Sequence, residues 1–235
     1  MATFVFVHGA WHGGWCWKYV TPLLRAAGHN VFTPTFTGVG ERAHLARPDT
    51  GLETHIQDVI GVITCEDLQD VVLVGHSLGG PVIEGVADRM PEPIAHLVYL
   101  DSSIPRDGQA DVDCYPTEFG ARAWAEGFLA EGKHVIPPPP MEQPFGITNE
   151  EDARWLKSKL TPHPTKAFTD PLRLTNPEPH ADARTFILCT QADPAWTSVR
   201  RVRSDPGWRY AELASGHDAM MIAPQALVDI LLTCI

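Results

Sequence analysis

The chain has 235 residues, 44% of them hydrophobic, and a formal net charge of −11. That length suits one domain with an insertion and a large buried core. The acidic balance, with no cluster of Lys or Arg, excludes a nucleic-acid partner, because phosphates need basic contacts.

The chain begins MATFVFVHGAWHGG, without the basic stretch of a secretion signal. No run approaches the roughly 18 apolar residues of a membrane span, so a cytoplasmic protein without membrane contact is expected. Short apolar runs bounded by Gly, Pro or Asp predict strands at 3–8 (TFVFVH), 31–35 (VFTPT), 71–75 (VVLVG), 96–101 (HLVYLD), 185–190 (TFILCT) and 210–213 (YAEL). Helical patterns lie between most of them: WCWKYVTPLLRAAG ending at Gly28, LETHIQDVIGVITCEDL, and GPVIEGVADRM. Alternating strands and helices imply βαβ units, and near-continuous apolar strands imply a sheet covered on both faces. The expected architecture is α/β, a mostly parallel, doubly wound sheet.

Residues 102–184 break the rhythm with PPPP at 137–140 and the amphipathic pieces EFGARAWAEGFLAEG and EEDARWLKSKL. Aromatic content in these pieces favours an inserted cap that packs on the rest over a disordered loop. The expected organisation is a core of 1–101 and 185–235 with a cap at 102–184. The five cysteines, Cys16, Cys65, Cys114, Cys189 and Cys234, form no CxxC pair and read as free thiols rather than a metal or redox centre.

The stretch VVLVGHSLGG carries the chemistry. Glycines around Ser77, between a strand and a helix, permit the sharp turn that exposes a serine hydroxyl at a sheet edge as a nucleophile. Such a serine needs a base and an orienting acid. His217, in ASGHDAMM, alone among the eleven histidines follows the last strand and precedes the final helix. Asp193, just past the strand before it, is the favoured acid. Asp101, ending HLVYLD, is the rival. Oxyanion donors are expected in the backbone N–H groups of Ala10, after the first strand, and Leu78, at the start of the helix. His76, inside the turn, reads as structural, and the i,i+4 pair His8 and His12 sits on a Gly-rich loop that does not suit a metal. Trp11, Trp124, Phe128 and Met220 are candidate substrate contacts that would equally suit a core. Neither a metal nor an organic cofactor is called for.

FVFVHGAWHGGWCW, TPLLRAAGHNVFTPTFTGVGER, VVLVGHSLGG, LVYLDSSIPRDG and ELASGHDAMM give the chain a resemblance to the α/β-hydrolase superfamily. More narrowly, it resembles the group of plant methylesterases, hydroxynitrile lyases and small bacterial esterases. TGVGERAHL and LETHIQDV point to the bacterial branch, which includes enzymes cleaving carboxylic esters and the carbamate ester of a benzimidazole fungicide. The resemblance implies the α/β-hydrolase fold with a small cap, Ser77 as nucleophile, His217 as base, Asp193 as acid, and Ala10 and Leu78 as oxyanion donors. The partner implied is a small, largely apolar ester, with homodimerisation left open. A lyase on the same scaffold is the alternative. Related lyases carry Thr where this chain has Gly9 and Lys where it has Asp218, and an anion beside His217 would repel departing cyanide. A ligand receptor on the hydrolase fold is the third reading, though a receptor needs no intact triad.

Overall fold

A computed structural model describes residues 1–140, 142, 144–175, 183–192 and 196–235. Strands β1 (Thr3–Val7), β2 (Asn30–Phe32), β3 (Val71–His76) and β4 (Ile94–Leu100) alternate with helices α1 (Val20–Ala26), α2 (Leu52–Cys65) and α3 (Gly79–Arg89). After β4 the chain leaves the sheet for an excursion. It contains α4 (Ala121–Ala130), β5 (Val135–Ile136), α5 (Glu150–Lys157), β6 (His163–Pro164) and α6 (Lys166–Thr169). It then returns through β7 (Arg184–Cys189), α7 (Ser198–Ser204), β8 (Arg209–Leu213), α8 (Ala219–Ile222) and α9 (Pro224–Leu231). The six long-range strands form one sheet in the order β2-β1-β3-β4-β7-β8, with every pairing parallel. β5 and β6 pair antiparallel apart from it.

The continuous apolar runs have a two-sided explanation. Successive side chains on a strand point to opposite faces, and both faces are covered. Phe4, Phe6, Val72, Val74, Val98 and Leu100 pack with Val20 and Leu24 of α1 and Leu227 and Leu231 of α9. The intervening Val5, Val7, Leu73, Leu97 and Tyr99 pack on the other face with Ile56, Val59 and Ile63 of α2 and Val82 and Val86 of α3. In the first helical pattern, α-helix begins only at Val20, after a 3₁₀ turn over Gly14–Trp17. Pro22 falls in its first turn, where the missing N–H costs nothing.

The strand expected at 31–35 stops at Phe32. Its continuation bonds to side chains instead of to a neighbour strand. Thr35 Oγ1 accepts from Gly14 N–H at 2.8 Å, the Thr35 carbonyl accepts from Arg42 at 2.8 Å, and Phe36 N–H donates to His8 Nε2 at 3.1 Å. Residues 33–36 thereby become a brace behind the loop that follows β1.

Because β3 lies between β1 and β4, the segments leaving the C-terminal ends of β1, β3, β4 and β7 emerge side by side. Ligands of open α/β sheets bind outside that edge. The sheet's rigidity rests on buried rings such as Phe6, fully buried and 4.6 Å from the Trp17 ring. Phe6→Ala should lower unfolding free energy by about 3–5 kcal/mol, read as a lower urea midpoint with an unchanged slope.

Candidate active site

From Val71 to Gly80 every residue is buried except Ser77. Its φ of +53° is left-handed, a conformation L-residues adopt only when their surroundings impose it. The surroundings are backbone packed too closely for side chains. A Cβ on Gly75 would stand 2.7 Å from the Gly79 carbonyl oxygen, and one on Gly79 would stand 2.7 Å from that of Val7. The Ser77 carbonyl accepts from Gly80 N–H at 3.0 Å and from Ser102 Oγ at 2.5 Å.

Ser77 opens into a cavity of about 550 Å³ whose walls include Gly9, Ala10, Trp11, His76, Asp101 and His217. Tyr115, Phe145 and Trp196 supply its aromatic surface. Among the described residues, six non-glycine residues have positive φ, and four of them (Trp11, Ser77, Asp101 and Phe145) line this cavity. Backbone strain concentrates at functional sites, and here it is concentrated around one hollow.

His217 Nδ1 donates to Asp101 Oδ2 at 2.6 Å. The histidine side chain is 20% exposed and the aspartate 3%. Asp101 steps out of β4 with φ +41°, its N–H donating to the Ile187 carbonyl at 2.8 Å and its Oδ1 accepting from Cys189 N–H at 3.4 Å. Burial pushes the His217 pKa down, but the hydrogen bond and charge of Asp101, aided by the charge of Asp218, outweigh it and leave the pKa raised above the ordinary histidine value. The favoured acid, Asp193, lies outside the described residues. The rival, Asp101, occupies the His217 Nδ1 position.

The amides of Ala10 and Leu78 lie on either side of Ser77 in the fold, one after β1 and one before α3, and among the described residues neither has an acceptor. The orientation of the first is fixed from behind. His8 Nδ1–H donates to the Gly9 carbonyl at 2.8 Å while its Nε2 accepts from Phe36 N–H. Carbonyl and N–H of a trans peptide point in opposite directions, so gripping the Gly9 oxygen turns the Ala10 N–H the other way. His12 does the same for the next peptide, with Nδ1 on the Ala10 carbonyl at 2.6 Å and Nε2 on Asp218 Oδ2 at 2.9 Å. Thus all four ring nitrogens of His8 and His12 have hydrogen-bond partners. Among the described residues no group of three or more His, Cys, Asp or Glu is arranged to hold a metal. His76 donates from Nε2 to the His217 carbonyl at 3.0 Å.

Of the four candidate substrate contacts, only Trp11 lines the cavity. Met220 is fully buried in α8 against the sheet, because its position one turn past His217 points it inward. Trp124 stands half-exposed at a neighbouring hollow, and Phe128 supports it from 5.7 Å. Asp218 does not face the cavity as an open anion; it is fully buried in its pair with His12. Sequence reasoning missed Tyr115, Phe145 and Trp196. Phe145 and Gly146 come from the excursion and press on the His217 loop: the Phe145 carbonyl accepts from Asp218 N–H at 3.1 Å, and a Cβ on Gly146 would stand 2.8 Å from Gly216 Cα. Only the PFG turn marks that segment in the sequence.

A Cβ at position 9 would stand 2.9 Å from Ser77 Cβ and 3.0 Å from His76 Nδ1. Gly9→Ala should therefore shift the turn and lower kcat/KM by about 10²-fold, the scale of an ångström-sized misplacement. Steady-state kinetics beside an unchanged circular dichroism spectrum would check it.

Residues 4–230 match the model of the alpha/beta hydrolase family. The chain is 40% identical to a carbendazim hydrolyzing esterase of Nocardioides sp. (strain SG-4G), covering 97% of this chain and 98% of the relative. Among solved structures it superposes on an extracellular alpha/beta-hydrolase from a Paenibacillus species with a TM-score of 0.84 at 24% identity, covering 100% and 99% of the two chains. On the methylesterase MES16 from Arabidopsis the TM-score is 0.74 at 27% identity, covering 99% and 98%. The full-length family match and the esterase relatives make this chain a carboxylesterase-type hydrolase of the alpha/beta hydrolase family.

Proposed function

We propose that the protein is a serine esterase that cleaves a small, largely apolar carboxylic or carbamate ester through an acyl-enzyme, with Ser77 as nucleophile, His217 as base and Asp101 as its orienting acid. The observation that carries this reading is the shared cavity: a strained, half-buried serine opening into it and a histidine whose Nδ1 is held at 2.6 Å by a buried carboxylate. With Nδ1 committed to Asp101, the opposite ring nitrogen takes the Ser77 proton as Oγ attacks the ester carbonyl carbon. The carbonyl oxygen becomes an oxyanion that accepts from the Ala10 and Leu78 N–H groups, the latter at the start of α3 where the helix dipole adds to the effect. Protonated His217 then returns its proton to the departing alcohol. Water attacks the acyl-serine with His217 again as base, and the acid product leaves. In this reading the excursion acts as the cap over the site, and Tyr115, Phe145 and Trp196 favour apolar substituents. The carbamate end of the range is included because the Nocardioides relative is named for carbendazim.

The lyase alternative draws no support here. A hydroxyl-bearing side chain at position 9 would press on Ser77, and the residue after His217 is an acid buried against His12 rather than a cation.

His217 must be neutral to accept a proton, so activity is lost as pH falls through its pKa. Since that pKa is raised, the acid inflection of kcat/KM should lie above about 6.5. Asp101→Asn removes the bond and charge that raise it, so the inflection should move down while kcat falls on the order of 10⁴-fold. Asp193→Asn, assayed in parallel, should cost far less. A crippled Asp193→Asn beside a healthy Asp101→Asn overturns the assignment. A sulfonyl fluoride adduct mapped by mass spectrometry to any serine other than Ser77 overturns the mechanism.

A further inference from the structure

Trp11 is held in a left-handed conformation, φ +64°, by three hydrogen bonds to the excursion. Its N–H donates to His163 Nδ1 at 3.2 Å, its indole N–H donates to the Ile136 carbonyl at 3.1 Å, and its carbonyl accepts from Thr161 N–H at 3.1 Å. A residue fastened at both backbone groups and at its ring nitrogen is a fixed wall. On one side it lies near-parallel to Phe145 of the catalytic cavity, centroids 6.1 Å apart; another contact is Phe168, at 5.7 Å.

Next to the catalytic cavity lies a second hollow of about 370 Å³, whose lining includes Trp11, Tyr115, Phe119, Trp124, Pro139 and Phe168 and contains no charged side chain. Trp11 and Tyr115 line both hollows. Phe119 is 60% exposed and Trp124 44%. Trp124 stands edge-on to Phe168, 6.0 Å away at 87°. Its volume lies in the roughly 300–1,000 Å³ range of small-molecule sites, and its rings suit offset or edge-to-face contact with another ring.

We propose that this hollow is a second subsite, which binds a planar aromatic group carried by the ester whose carbonyl sits at Ser77. The inference rests on the esterase reading and extends it to substrate class. Continuity decides the occupant: Trp11 and Tyr115 line both hollows, so a group carried by the ester at Ser77 has the second hollow beside it. A second copy of the chain docking on Phe119 and Trp124 would explain their exposure, but not the shared walls.

The test compares methyl butyrate with methyl 2-naphthylacetate. The native enzyme should show the lower KM for the naphthyl ester. Trp124→Ala and Phe119→Ala, both at exposed positions, should each reduce the naphthyl-over-butyrate ratio of kcat/KM about tenfold, through KM. Binding is read separately: 2-naphthylacetate should quench the tryptophan fluorescence of Ser77→Ala, and added Phe119→Ala should weaken that quenching about tenfold. An unchanged ratio and unchanged quenching overturn the subsite. So does sedimentation showing a dimer that Trp124→Ala dissociates. If neither ester is turned over while the quenching persists, the esterase reading fails and the aromatic site stands.

Discussion

The site depends on one constraint, the left-handed turn at Ser77, because nothing else on the sheet edge can be placed until that turn is closed. Closing it requires β3, α3 and the end of β1 to meet backbone to backbone, which is why Gly75 and Gly79 carry no side chain. The meeting aligns three consequences. The hydroxyl stands clear of the sheet, the Leu78 amide comes to the start of a helix, and the loop after β1 passes close enough for Gly9 to face Ser77 Cβ. The Ser102 hydroxyl, from the segment after β4, closes the turn from the far side. Strain of this kind persists only where packing over-determines it, and the apolar layers on both sheet faces supply that packing.

Around the turn, histidines serve as tethers for main-chain groups. His8 holds the Gly9 carbonyl, His76 holds the His217 carbonyl, and His163 accepts from the Trp11 amide. Burial drives the pKa of His8 down to about 3 and those of His76 and His163 well below the ordinary value. A neutral ring offers one donor and one acceptor, so each tether keeps a fixed tautomer across the pH range in which an esterase works. His217, with a carboxylate on Nδ1, has its pKa raised instead. The proton chemistry is thus separated from the scaffolding, although both use the same side chain. His12 is a different case, since both of its ring nitrogens face acceptors, the Ala10 carbonyl and Asp218 Oδ2.

Much of this was legible in the sequence, and the illegible parts have physical causes. VVLVGHSLGG displays its buried strand, tight turn and helix start in consecutive letters, so the place of the strained serine could be read directly. The acid could not, because β4 and β7 are neighbours in the sheet. The sequence offers a carboxylate after each of these strands, and the 2.6 Å contact of Asp101 with His217 is set by three-dimensional placement that no local pattern displays. Met220 lies close to His217 in sequence, but α8 turns that position toward the sheet. Tyr115, Phe145 and Trp196 belong to irregular segments with no periodicity to reveal which way a side chain points. Their roles follow from how the chain returns over the edge.

That return changes what the excursion is. Its small apolar cluster, with Val112, Ala125, Ile136 and Phe168, is completed by the side chains of Ala10 and Leu78. The two residues whose amides would hold the oxyanion are therefore anchored in the excursion by their own side chains. The histidine loop is anchored there as well, through the close packing of Gly146 on Gly216 and the bond from Asp218 N–H to the Phe145 carbonyl. Trp11 adds three hydrogen bonds to the same segment. A cap that only covered a finished site would touch its rim. The excursion reaches the backbone of Ala10, Leu78 and the His217 loop, so in the proposed mechanism catalytic geometry and substrate shape are set by the same contacts. Sequence change in the excursion that alters what the site accepts must also act on how well the site is assembled.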